Sequence, residues 1–404
     1  MSKPVSIVLV GIGGMGAVYL AALLENAGKR DFHLAGAVDP QPQRCPQLSE
    51  LRASDVPIFA RLEEFYERHR ADLAIISSPI HFHCDHTCLA LSRESDVLCE
   101  KPAAATVQEV ARMREAERTA GRWVAVGFQW SFSPAIQALK SDLIAGIYGR
   151  PRRLKCLYLW PRSEAYYKRN DWAGRLRDSE GRWILDSPAN NAMAHDLHNM
   201  FYVLGRERVA AARPIQVEAE LYRAREIESF DTAAIRCLTD NGVEILFFVS
   251  HVASIDTGPV FSYEFERGEV RGSGRDTDIR GSSAAGEKNY GSPDREPLRK
   301  MWEAIDSVNG KGIPACGLEA ALGQVLAVNG AQDSMPEIQG FPGTMVVSKG
   351  EPEDREVTVA GLTEVFKESY RKNALPSELG VPWSRKGRRV SLTEYAHFPG
   401  GVPH

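Results

Sequence analysis

The first third of the chain alternates short, unbroken apolar runs with longer stretches of helical periodicity. Residues 5–10 (VSIVLV) are apolar and β-branched almost throughout, the pattern of a strand buried on both faces. Similar runs at 32–38, 73–76 and 95–99 predict three further strands, and 123–127 predicts another. The run at 95–99 leads into Glu100-Lys101-Pro102, where proline fixes φ, removes a backbone donor and stops the strand. Residues 17–24 and 107–120 have helical patterns, so strands and helices alternate as in a parallel sheet covered on both faces. Beyond residue 150 the pattern changes. Partly alternating runs at 154–160, 215–222, 232–238, 243–251 and 261–266 predict an open, mostly antiparallel sheet with one covered face. Helices are predicted at 135–145, 298–309 and 318–329, and the Gly/Ser/Asp/Arg-rich stretch 271–293 reads as a long loop.

The first strand runs into Gly11-Ile12-Gly13-Gly14-Met15-Gly16, and a helix follows at once. A GxGxxG pattern carries weight only in that strand–turn–helix setting. Gly11 permits the tight turn, Gly13 lets a pyrophosphate approach the backbone, and Gly16 lets helix and strand pack closely. The second strand ends at Asp39, about 20 residues on, where a carboxylate would bind ribose hydroxyls and repel a 2′-phosphate. NAD is therefore expected rather than NADP. The other reading of Asp39 is a turn former before Pro40. The fold class expected is an α/β Rossmann domain plus an α+β domain with a large, mostly antiparallel open sheet. The expected boundaries are 1–127 for nucleotide binding, 128–365 for substrate binding and oligomerisation, and 366–404 as a tail packed on the domains.

Composition narrows the partners. With 43% hydrophobic residues, 25% charged residues and a net charge of −4, the chain has no basic field for nucleic acid. No apolar run has the length of a membrane span. Seven scattered cysteines argue for reduced thiols, and the opening residues carry no signal-peptide profile, so a cytoplasmic protein is expected. The basic stretch 385–389 reads as a solvated surface.

Four stretches carry candidate chemistry. His81, His83, Cys84, His86 and Cys88 are dense enough to suggest zinc, but they straddle a loop and a helix start without paired CxxC spacing. No metal is expected there; His83 is instead expected to face the cofactor crevice. Glu100 and Lys101 lie at the carboxyl end of a strand, where α/β sheets bind ligands. The loop 161–175 interleaves Tyr166, Tyr167, Arg169, Trp172 and Arg175, a mixture suited to stacking on and hydrogen-bonding a sugar. Finally, Asn191 and His195 stand at i and i+4, and on a helix they would share a polar face with His198 and Asn199.

The order GIGGMG, Asp39, SSPIHFH and DVLCEKP resembles the glucose–fructose oxidoreductase, inositol dehydrogenase and rhizopine-catabolism (Gfo/Idh/MocA) family, and the likeness extends to about Gln332. It implies that Lys101 lies beside the nicotinamide and the reacting hydroxyl, with a cis Lys101–Pro102 bond. It also implies cofactor contacts from Ile12, Gly14, Met15, Ser78, Pro79, His83, Glu100 and Gln129, and a substrate contact from Trp130. His195-Asp196-Leu197-His198 resembles the family's HDxD, which makes His195 the catalytic acid–base partner of Lys101. Three positions depart from the family pattern: Ser131 replaces an arginine, Asn191 a usual aspartate and His198 the second aspartate of HDxD. Asn191 can position a hydroxyl or His195 but cannot relay a proton. The resemblance further implies a homodimer or homotetramer formed through the exposed sheet face.

The function expected is NAD-dependent hydride transfer at a secondary hydroxyl of a sugar, glycoside or cyclitol. Two alternatives stay open: a glycosidase working through transient oxidation and elimination, and a non-catalytic regulator that binds NAD and a sugar.

Overall fold

The computed structural model describes residues 3–400, which form two compact units. The first comprises residues through Ala104, Gln108–Phe132 and Glu296–Ala321. Its strands are β1 (Val5–Val10), β2 (Phe32–Val38), β3 (Ile58–Phe59), β4 (Leu73–Ile76), β5 (Asp96–Cys99) and β6 (Val124–Val126). They form one sheet in the order β3-β2-β1-β4-β5-β6 with every neighbour parallel. β1, β4 and β5 are buried at every residue, as expected of strands covered on both faces. The helices of this unit are α1 (Met15–Asn26), α2 (Leu48–Ala53), α3 (Leu62–Arg68), α4 (His83–Ser92), α5 (Val107–Ala120) and α6 (Gln129–Phe132). Strand order reverses between β1 and β4, so their carboxyl-end loops flank the crevice where doubly wound sheets bind ligands.

The second unit contains α7 (Pro134–Ile144), β7 (Pro151–Leu159), α8 (Glu164–Lys168), α9 (Ala194–Val203), β8 (Pro214–Arg223), β9 (Thr232–Thr239), β10 (Glu244–Ser250) and β11 (Thr257–Phe265). Three more strands follow, β12 (Gly268–Ser273), β13 (Ile279–Ser283) and β14 (Gly286–Gly291), and then the first unit's helix α10 (Arg299–Val308). After α11 (Leu318–Ser334) come β15 (Gln339–Gly340), β16 (Val346–Lys349), β17 (Glu356–Val359), α12 (Leu362–Lys372) and β18 (Val390–Ser391). The large sheet runs β14-β13-β12-β11-β7-β10-β9-β8-β15, with β18 also on β8. It is mostly antiparallel; β10–β7 and β15–β8 are parallel. Every residue of α9 but one is buried, and Asn199 Nδ2 donates to the Tyr263 hydroxyl of β11 at 3.0 Å.

Four expectations change. The stretch 271–293 is no loop but most of an antiparallel meander, β12 to β14, at the sheet edge. Two of its glycines are packing positions: a Cβ at Gly272 would lie 2.3 Å from the Phe261 ring, and one at Gly281 would lie 2.0 Å from the Tyr148 hydroxyl. Helix α9 begins at Ala194, so Asn191 lies in the preceding turn, its N–H on Ser187 O at 2.9 Å, and shares no helix face with His195. Residues 296–321 fall within the span read as the second domain, yet they join the first unit, where Val126 N donates to Cys316 O at 2.8 Å.

The fourth change concerns the sheet's second face, expected to be open. Across β7–β10 it is covered by the chain's own carboxyl-terminal part. Phe341, Val357, Val359, Leu362, Phe366 and Leu375 join Leu157, Tyr222, Leu246 and Phe248 in one buried cluster, with Trp383 edge-on to Tyr222 at 5.0 Å. The basic stretch 385–389 is likewise engaged rather than merely solvated: Arg389 pairs with buried Glu218 at 3.0 Å, and Val390 joins Val217 of β8. Among the described residues no helix is long and apolar enough to cross a membrane.

Candidate active site

In the first unit the glycine turn fits tightly against the end of β4. Gly11 has φ +81°, and a Cβ there would sit 2.6 Å from Ser77 O. A Cβ at Gly16 would meet Gly11 O at 1.9 Å, so only glycine lets α1 start this close to β1. Around Gly13 the space is open, with nothing within 4 Å of a Cβ position. The turn therefore presents bare backbone and the N-terminus of a 12-residue helix to open space that a diphosphate could enter. Ile12 is buried, while Gly14 and Met15 line the mouth of the turn. Asp39 sits beside it: one carboxylate oxygen accepts from Ile12 N at 3.0 Å and the other from Gln41 N at 2.8 Å. The bonds that shape the turn also fix the carboxylate next to the glycine loop.

The loops after β4 and β5 are tied by His83. Its Nδ1 lies 2.8 Å from Pro102 O and its Nε2 lies 2.9 Å from Ser78 O. The ring is buried, and burial pushes its pKa below the ordinary histidine range despite the two carbonyls. His83 thus sits between the Ser78–Pro79 and Lys101–Pro102 turns with a backbone carbonyl at each ring nitrogen, and its single N–H donates to one of them. The Lys101–Pro102 bond is cis. Among the described residues no group of histidine, cysteine or carboxylate side chains is arranged to hold a metal. Cys84 packs toward Glu109 O at 3.3 Å, and His86 Nδ1 meets Ser78 Oγ at 3.0 Å.

Glu100 points inward. Its carboxylate accepts from the Tyr19 hydroxyl and from Lys300 Nζ, and Lys300 also donates to Gly127 O at 2.9 Å. Burial would raise the Glu100 pKa, but Lys300 outweighs it and holds the carboxyl below its usual range. Glu100 is therefore the anchor of the loop that carries half-buried Lys101 rather than a cofactor contact. Lys300 escaped the sequence reading. The available signal was its place on the apolar face of α10 with Met301, Ala304 and Ile305. Of the other expected residues in this unit, Gln129 is half-buried at the start of α6, and Trp130 and Ser131 are buried.

In the second unit His195 occupies the first turn of α9 and remains partly exposed. Asn191 Nδ2 donates to Asp186 Oδ1 at 2.9 Å, and Asp186 Oδ2 accepts Gly174 N at 2.7 Å. Asp186, also missed in the sequence, therefore ties the end of the aromatic loop to Asn191. A buried aspartate following the apolar pair Ile184-Leu185 was the available signal. His198, expected at the substrate, is instead a core residue. It is fully buried, stacks on Tyr202 at 5.6 Å, and burial followed by nearby Lys140 pushes its pKa down to about 3. The residue fills α9's packing face, so the polar stripe read from the sequence is partly interior.

The aromatic loop is ordered by its own cations. The Arg169 guanidinium lies 3.7 Å above Tyr166 and 5.4 Å from Trp172. The Tyr167 hydroxyl meets Nδ1 of buried His251 at 2.8 Å. Burial, above all, pushes the Tyr166 pKa up to about 12 and that of Tyr167 well above the ordinary tyrosine range, so both remain neutral hydroxyls. Arg175 is exposed, with its backbone N–H on Trp172 O at 3.2 Å.

Residues 5–128 match the model of the oxidoreductase family GFO_IDH_MocA, described as an NAD-binding Rossmann fold. The chain is 26% identical over 266 residues to a 1-carboxy-3-chloro-3,4-dihydroxycyclohexa-1,5-diene dehydrogenase of Comamonas testosteroni, covering 64% of this chain and 62% of that protein. It is 29% identical to an inositol 2-dehydrogenase of Renibacterium salmoninarum, covering 37% of this chain and 45% of the relative. The chain thus spans from under half to under two thirds of the length of these curated relatives. In fold it is similar to the WlbA dehydrogenase of Bordetella pertussis, solved with NADH and UDP-GlcNAcA. That similarity has a TM-score of 0.67 at 20% identity and covers 82% of this chain and 97% of the other. The glycine turn, Asp39 and the Glu100-Lys101-Pro102 loop all lie within residues 5–128, the part of the chain that matches the NAD-binding Rossmann fold of the Gfo/Idh/MocA oxidoreductase family.

Proposed function

We propose that the protein is an NAD-dependent dehydrogenase that interconverts a secondary hydroxyl and a carbonyl on a sugar, glycoside or cyclitol. The observation that carries this reading is the set of loops at the carboxyl edge of the first sheet: an open glycine turn, a carboxylate fixed beside it, and a lysine on an anchored turn. The residues fit NAD. Backbone N–H groups at Gly13 and Gly14 would hold the diphosphate, and Asp39 would take the ribose diol and repel a 2′-phosphate. When bound, the nicotinamide supplies the hydride acceptor or donor.

The chain's own residues supply proton and charge control. Lys101 would donate to the substrate oxygen and stabilise the negative charge that develops on it as the proton leaves. His195 would accept that proton in oxidation and return it in reduction. Asn191, held by Asp186, would orient the hydroxyl, with Tyr166, Tyr167, Arg169, Trp172 and Arg175 setting the ring. The relatives named as dehydrogenases of a cyclic diol and of inositol support a ring-borne hydroxyl as the reacting group. A homo-oligomer formed through the large sheet would use its β11–β13 portion, where a cavity of about 810 Å³ lies beside Lys155, Glu264 and Arg271. The test of function is NADH formation across a panel of sugars, glycosides and cyclitols. A substrate that reduces NAD and not NADP is expected; no turnover across the panel would overturn the proposal.

A further inference from the structure

The aromatic loop of the second unit holds more positive charge than its own carboxylates neutralise. Arg162 lies flat on Trp160 at 3.4 Å and 4.7 Å from the Tyr166 ring, whose environment it shares with Arg169 at 3.7 Å. Arg275 approaches Trp160 at 4.8 Å and Arg225 approaches Tyr167 at 5.2 Å. Two of the four have partners: Arg225 pairs with Glu164 at 2.5 Å and Arg275 with Asp256 at 2.8 Å. Arg162 and Arg169 meet no carboxylate among the described residues. Asp186 is near Tyr166, but its two oxygens are engaged by Gly174 and Asn191.

A second observation points at a ligand. His251 is 1% exposed and lies 5.2 Å from the Tyr166 ring; its Nε2 has no partner among the described residues, and neither has Arg162 Nε. The Tyr167 hydroxyl and Nδ1 share a hydrogen bond at 2.8 Å, which holds the ring in place beneath the shelf. Burial, and then Arg162, Arg225 and Arg169, keep the ring neutral. Buried donors without acceptors are costly, and two like-charged guanidiniums on one aromatic shelf repel. An anion relieves both at once.

We propose that this shelf is an anion subsite. It would bind a carboxylate or phosphate carried on the substrate's sugar through Arg162 and Arg169. The proposal rests on the sugar-dehydrogenase reading and narrows it to acidic sugars. The carboxylate route would suit the planar guanidinium forks best.

The test is calorimetric titration of the full chain, in the presence of NAD, with D-glucuronate, D-glucose 6-phosphate, inorganic phosphate and D-glucose. At least one acidic sugar should bind about tenfold or more tightly than glucose, and the advantage should vanish in Arg162→Gln and in Arg169→Gln. Arg169 is exposed, so its variant strands no buried charge, and unchanged NAD binding by the same titration shows that the variant is folded. Preference for glucuronate alone assigns a carboxylate, and preference for the phosphate ester assigns a phosphoryl group. Equal binding of acidic and neutral sugars, an advantage that persists in both variants, or no binding by any of the three anions overturns the subsite. NADH formation from neutral sugars without any acidic preference would remove the subsite and leave the dehydrogenase. Arginine-dependent anion binding without turnover of any sugar would do the reverse.

Discussion

Lys300 donates to both the Glu100 carboxylate and the Gly127 carbonyl, across 200 residues of sequence, and so locks the end of β5 to the end of β6. Both side chains are nearly inaccessible, at 1% and 8%. Removing one partner of such a pair strands a buried charge. Lys300→Met should lower unfolding stability by about 3–5 kcal/mol, and adding Glu100→Gln should recover much of it. Urea denaturation of the two variants checks this. A Lys300→Met protein as stable as the parent would mean that the pair does not hold the loop.

Asp196, next to the proposed catalytic histidine, is buried, and burial followed by Asp294 pushes its pKa up to about 8. The folded state therefore holds a proton that the unfolded chain releases near pH 4. Stability from this group is fully present in acid and is lost as pH rises toward about 8, at a slope of at most ~1.4 kcal/mol per unit. Thermal melts between about pH 5 and 9 should show this decline, and Asp196→Asn should flatten it.

Asp186 links Gly174 and Asn191 through its two oxygens. Asp186→Ala should free both and lower kcat/KM by about tenfold or more, since a small misplacement of orienting groups is costly. Its affinity for NAD should not change. An unaltered kcat/KM would separate Asn191's position from catalysis.

Asp39 should decide the cofactor. In Asp39→Ala the KM for NAD should rise about tenfold or more while NADP gains relative to NAD, because a charged hydrogen-bond acceptor and a repulsive charge are removed together. Steady-state kinetics with both cofactors reads this directly.

The nucleotide half of the fold was legible because its signals are local. A buried strand, a glycine turn and a helix follow one another within residues 5–26, and Asp39 ends the next strand. The place of Lys101 just past the end of β5 was legible for the same reason. What escaped depended on distant parts of the chain. Lys300 is defined by a carboxylate 200 residues away, and the covering of the large sheet by residues 341–383 pairs segments with no shared local pattern. The β12–β14 meander was hidden by its glycines, because Gly272 and Gly281 make room for Phe261 and Tyr148 inside strands while Gly274 and Gly286 take positive φ at the strand ends. Asn191 read as helical because spacing alone cannot show that α9 starts at Ala194.

The central claim is that Lys101 controls charge on the reacting oxygen. Its most direct test is turnover by Lys101→Met on the best substrate from the panel, alongside NAD binding by calorimetry. A fall in kcat of about 10²–10⁴ is expected, with NAD affinity within a few-fold of the parent. Turnover at the parent rate would contradict it.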